Sequence, residues 1–81
     1  MREVRFEVEG FDGEFCCDAD EITSYRTLKQ LALSDKRPDG MFEAIERIYM
    51  GKDEEYAERV GGMDGLAKLN DAAVEAAKAK N

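Results

Sequence analysis

Two adjacent thiols, Cys16 and Cys17, are the residues best equipped for chemistry in a chain that has no histidine. Without histidine, the commonest general base and the commonest metal ligand are both missing. The thiols sit in the run EFCCDAD. If that run is a strand, successive side chains point to opposite faces. Cys17, on the face of Phe15 and Ala19, then enters the core, and Cys16 lies among Glu14 and Asp18 on the outer face. A thiol flanked by carboxylates is a poor nucleophile, and two thiols fall short of a four-ligand structural zinc site. Nor can neighbouring cysteines build a disulfide framework, so two reduced thiols in a reducing compartment are expected.

Asp18-Ala19-Asp20 has the opening spacing of a calcium loop. That loop needs glycine at its sixth position and glutamate at its twelfth; here they are Thr23 and Lys29. Gly61, Gly62 and Gly65 do not form a phosphate cradle, because they follow a helical pattern and no Gly-Lys-Ser/Thr accompanies them. They read as a tight turn between helices. Carboxylates are abundant, but none combines expected burial with a partner base, so paired acid–base catalysis has no specific support. No catalytic residue, metal ligand or cofactor site is assigned, and the chain is not expected to be an enzyme.

Charge narrows the partners. The net charge is −7 over 81 residues, and residues 1–22 alone hold two basic and eight acidic side chains. Such a chain is repelled by nucleic acid and by anionic lipid. Its acidity serves solubility, or else mimics the charge of a nucleic acid. No apolar run approaches the roughly 18 residues that span a membrane, and MREVRFEVEG alternates where a signal peptide would be an apolar block. A cytoplasmic protein that binds neither nucleic acid nor membrane directly is expected.

The elements that must position these groups follow from periodicity. Val4, Phe6 and Val8 alternate with charged residues, which is the period of a half-buried strand. Asp12-Gly13 is a strong two-residue hairpin signal; with those two as the loop, Val8 opposes Cys17 and Phe6 opposes Ala19. A helix over about 23–33 carries Tyr25, Leu28, Leu31 and Ala32 on one stripe, capped by Thr23 or Ser24. Further helices are expected over about 39–50, 53–60 and 64–79, the last capped by Asp64 and closed by Lys78 and Lys80. The whole reads as one small α+β domain over residues 1–81, a β-hairpin at 3–19 packed against three to four α-helices. A domain this short buries only about 60–65% of its extended surface, so self-association or a partner is expected to supplement the core.

The segment Pro38–Gly51 is the most apolar amphipathic stretch. Met41, Phe42, Ile45, Ile48 and Tyr49 fall on one helical face, with Glu43, Glu46 and Arg47 opposite. Methionine and tyrosine adapt well to partner surfaces, although residues at this spacing equally build a core. The candidate partner-binding set is Met41, Phe42, Ile45, Ile48, Tyr49, Met50 and Tyr56, with Met63 and Tyr25 nearby.

The order of elements, an acidic hairpin, SYRTLKQL, FEAIERIYMG, YAERVGGMDGLAKL and an Ala/Glu/Lys helix, resembles the small tail assembly chaperones of long-tailed bacteriophages and prophages. The compact hairpin with so early an Asp-Gly turn departs from the family pattern. The resemblance implies a non-enzymatic protein that coats the tape-measure protein during tail assembly, self-associates and is absent from the virion; members often also exist as a longer frameshifted product. The family offers no motif by which binding residues carry over. The rival expectation is an acidic phage-encoded inhibitor that mimics nucleic-acid charge with Glu7, Glu9, Glu14 and Asp18.

Overall fold

The computed structural model describes residues 1–79. Two strands, β1 (Glu3–Glu7) and β2 (Glu14–Asp18), form an antiparallel hairpin, followed by α1 (Ala19–Ile22), α2 (Tyr25–Ala32), α3 (Pro38–Ile48), α4 (Asp53–Arg59) and α5 (Met63–Ala79). The fold is α+β. Lys80, expected to complement the last helix dipole, lies outside the described residues.

The hairpin forms, but in a different register. Val4, not Val8, opposes Cys17, and Phe6 opposes Phe15. Asp12-Gly13 is not the hairpin tip. Phe11 N donates to Val8 O (3.1 Å), closing a turn in which Gly10 takes a φ of +92°, the conformation that a type II turn asks of its third residue. The guanidinium of Arg59 then fixes the returning strand, donating to Asp12 O (3.0 Å) and Glu14 O (3.2 Å) and lying 3.9 Å over the Phe15 ring. A long-range clamp outweighs the local turn preference. Because the slip is four residues, an even number, no side chain changes face. Val4, Val8, Phe15, Cys17 and Ala19 still join one core cluster.

Three to four helices were expected, and five are present among the described residues. The additional one, α1, starts where Asp18 accepts from the backbone N–H of Asp20 and Glu21, with acidic residues filling its first turn. The pair Asp18/Asp20 is thus a helix start. Ser24 caps α2 through the N–H of Thr27 (3.2 Å), and Pro38 opens α3. Helix α5 begins one residue before Asp64, which sits in its first turn instead of capping it. Gly61 and Gly62 hold φ of +80° and +107°, and Gly62 N donates to Ala57 O (2.9 Å), ending α4 and reversing the chain.

The core lies between the hairpin and α3, α4 and α5. Ile48, Tyr49, Phe15 and Leu69 are its largest fully enclosed apolar residues. Phe15 and Tyr56 meet edge to face at 5.0 Å, and Tyr49 meets Tyr56 likewise at 5.6 Å, the geometry aromatic pairs prefer. Ala73 and Ala77 are completely buried. Their small side chains let α5 lie close against β1 and α1, and Arg2 Nη1 donates to Ala77 O (3.4 Å) at that contact.

Candidate functional site

The seven candidate residues divide between two environments. Ile45, Ile48, Tyr49 and Tyr56 are buried in the core cluster. The Tyr49 hydroxyl donates to Asn70 Oδ1 on α5. Met41 packs against the core from its margin, and Met50 is half-buried, held at a φ of +56°. Only Phe42 is exposed, at 53%. Helix α3 therefore turns its 45/48 side inward and its 39/42/43/46 side outward, as residues three and four apart share a helical face.

That outer side forms one wall of a groove. Asp39, Phe42, Glu43 and Glu46 of α3 face Asp53, Glu54 and Ala57 of α4 and Met63 and Leu66 of α5 across about 620 Å³. Phe42 and Met63 (60% exposed) supply apolar surface, and Ile45 and Leu66 close the floor where the groove meets the core. Five carboxylates and no cation line it. Groove volumes of this order accept a small ligand or a few side chains. Local sequence holds the walls in place: Pro38 starts α3, Asp53, Glu54 and Glu55 occupy the first turn of α4, and the two left-handed glycines direct α5 back along the groove. The expected face set Phe42 opposite Glu43 and Glu46; the structure places it beside them on the α3 wall, because the helix is turned so that Ile45 and Ile48 point inward. The opposite wall depends on the turns at Met50-Gly51 and Gly61-Gly62, which spacing alone does not orient.

The thiols are positioned for packing. Both are free and buried. The outer-face position expected for Cys16 is overturned, because α4 covers it: Cys16 N donates to Tyr56 Oη (3.1 Å) and its Sγ lies 3.3 Å from the same oxygen. Lys52 Nζ approaches Cys16 Sγ only to 4.0 Å. Burial pushes the Cys17 thiol up to about 11, with Cys16 and Asp18 adding to the shift. Burial likewise raises Tyr56 to about 12, reinforced by its bond with Cys16, and drives Tyr49 higher still. Groups that hold their protons this firmly serve poorly as nucleophiles or bases near neutral pH.

The carboxylates expected on the hairpin's acidic face are partly engaged. Asp18 accepts from the N–H of Arg2 (3.3 Å) and from the first turn of α1, and Glu14 lies 3.7 Å from Arg5. Elsewhere, Glu21 accepts from Arg47 Nε (2.5 Å) and Arg26 Nη2 (2.9 Å). The two arginines hold its carboxyl below the usual range. Among the described residues, no three His, Cys, Asp or Glu side chains group as metal ligands, and no helix is long and apolar enough to cross a membrane. No family model, curated protein or solved structure matches this chain.

Proposed function

We propose that the chain is a protein-binding domain without enzymatic activity, a tail assembly chaperone of the kind found in long-tailed bacteriophages. It acts in the bacterial cytoplasm, covering apolar surface on the tape-measure protein until the tail is built around it. The observation that carries this reading is the pairing of Phe42 and Met63. Both are exposed in the α3–α4–α5 groove, although the chain has few apolar residues to spare for its core. Exposed apolar side chains gathered in a polar-rimmed groove mark docking surfaces more often than chance surface residues do. The rest of the apolar α3 face stabilises the domain itself, so the docking role falls to Phe42 and its neighbours across the groove.

The test begins with the DNA downstream of the gene. A slippery run near the stop codon, an overlapping frame and then a very long helix-rich reading frame are expected. That long product, co-expressed with the wild-type chain, co-purifies with it; the F42S/M63S double variant retains its far-ultraviolet circular dichroism and loses the long product. Absence of such a reading frame, or capture undiminished in the folded double variant, overturns the proposal.

A further inference from the structure

Helices α3 and α4 carry one cation each, Arg47 and Arg59. Neither serves the groove that these helices frame. Arg47, one helical turn from Glu43, donates instead to Glu21 and Gln30. Arg59 clamps the hairpin through Asp12 O and Glu14 O. The groove is left with Asp39, Glu43, Glu46, Asp53 and Glu54, and among the described residues none of the five joins a salt bridge. Asp39 also borders a small cavity with Lys29 and Arg37, so cations of the chain stand near that end of the groove. No Lys or Arg lines the groove beside Glu43, Glu46, Asp53 and Glu54. This uncompensated charge shares one concave surface with the exposed side chains of Phe42 and Met63.

We infer that the groove takes a cationic amphipathic helix from its partner, with apolar anchors on the Phe42–Met63 surface and flanking Lys or Arg on the carboxylates. This rests on the reading of the groove as a docking site and specifies the chemistry of what docks. A helix fits because the walls belong to α3, α4 and α5, whose backbone groups are bonded within their own helices and offer no edge to an extended strand. A helix satisfies its own backbone and presents side chains at i, i+3 or i+4 and i+7 to such a groove. The cations select more than they bind. Exposed ion pairs add little affinity each, but carboxylates brought against unpaired carboxylates repel, so an acidic helix with the same apolar stripe is refused.

Fluorescence anisotropy with two labelled helical peptides of about 18 residues, long enough to hold a helix, tests this on the whole chain. Both carry Leu at i, i+4 and i+7 on an Ala background; one has Lys beside the stripe and the other Glu. The Lys peptide is expected to bind wild type at least about tenfold more tightly than the Glu peptide. That preference should shrink toward about 1 M salt, where screening reaches about 3 Å. E43K/E46K alters two exposed groove carboxylates and should weaken the Lys peptide at least about tenfold. E7K/E9K makes the same change in net charge at exposed positions outside the groove, and should shift binding less than about threefold. Circular dichroism confirms that each variant folds. A Lys peptide that does not bind, or an E7K/E9K loss as large as that of E43K/E46K, overturns the inference. If both peptides bind wild type equally and both are lost in F42S/M63S, the cationic preference falls and the docking groove stands. If F42S/M63S binds the Lys peptide as wild type does, the groove itself falls, and the inference with it.

Discussion

The backbone N–H of Cys16 donates to the hydroxyl of Tyr56 over 3.1 Å, across forty residues of sequence. A two-stranded sheet leaves each strand with a free edge, and β2 is one of them. Unpaired edge amides invite pairing with other chains. Here the amide is met by a side chain from α4, which also places the Tyr56 ring against Phe15 and Tyr49. One residue thus covers an edge, buries a thiol and centres the aromatic cluster.

Replacing Tyr56 by Phe separates these roles. The ring contacts remain, while the Cys16 amide loses its partner in a buried site. A loss of about 1–2 kcal/mol is expected, the usual cost of an orphaned buried donor. Tyr56→Ala removes the ring as well and should cost about 3–5 kcal/mol. Urea titrations followed by circular dichroism check both. An unchanged midpoint for Y56F would mean that water satisfies the amide and that the hydroxyl adds little.

Alkaline pH offers a second test. Cys17 titrates at about 11 in the folded chain against an ordinary 9.0. Between those values the unfolded chain has released its proton and the folded chain has not, so stability falls as pH rises. It is fully present below pH 9.0 and declines toward 11; Tyr56, raised from 10.0 to about 12, extends the decline. Cys17→Ala leaves only the tyrosine contribution. Its urea midpoint should be lower than wild type at neutral pH and should begin to fall about one pH unit later. A decline with the same onset in both chains would assign the alkaline limb to other groups.

Strand alternation, the apolar stripe of α3 and the Ser24 cap were all legible because each depends on neighbours within a few residues. The hairpin register was not, since Arg59 fixes it from the other end of the fold. Side-chain parity survived because the displacement is even. Cys16 was expected at the surface for the same reason, since no local pattern announces that Tyr56 will cover it. Of the candidate set, Phe42 stands exposed on the groove wall, but Ile45, Ile48, Tyr49 and Tyr56 belong to the core. An amphipathic stripe identifies an apolar face without saying whether the rest of the chain or another molecule covers it. The carboxylate wall from Asp53 and Glu54 becomes visible only after the left-handed Met50-Gly51 turn has folded α4 back against α3.

Acid pH probes the junction of the first three helices. Glu21 at the end of α1 accepts from Arg26 of α2 and Arg47 of α3, and Arg47 also donates to Gln30. These bonds lower the Glu21 carboxyl below 4.5, so the stability they give is present above pH 4.5 and is lost as pH falls through the folded value. Glu21→Gln should cost about 1 kcal/mol at neutral pH, a modest figure because Arg26 is largely exposed. The gap between wild type and variant should close in acid. A gap that is constant from neutral to acid pH would show that shape and not charge matters at this junction.

The turn between α4 and α5 gives the sharpest contrast between two glycines. Gly61 has open space around a built Cβ, and its cost to alanine is only the left-handed backbone at φ +80°; about 1 kcal/mol is expected for Gly61→Ala. Gly65 lies inside α5, where alanine would ordinarily stabilise the helix by about 1 kcal/mol. Here its Cβ would stand 1.9 Å from the carbonyl oxygen of Val60 and 2.7 Å from the carbon. That obstacle is backbone, held by the Val60 N to Tyr56 O bond that ends α4, and it does not swing aside as a side chain would. Gly65→Ala must therefore push α5 away from α4 and open the floor of the groove at Leu66. A loss above about 3 kcal/mol is expected, a large share of the roughly 4–12 kcal/mol available to a chain of this length. Thermal melts of the two variants side by side decide it. If G65A melts no lower than G61A, the close approach of α4 and α5 is not tight, and the groove they frame with α3 is not held at a fixed width.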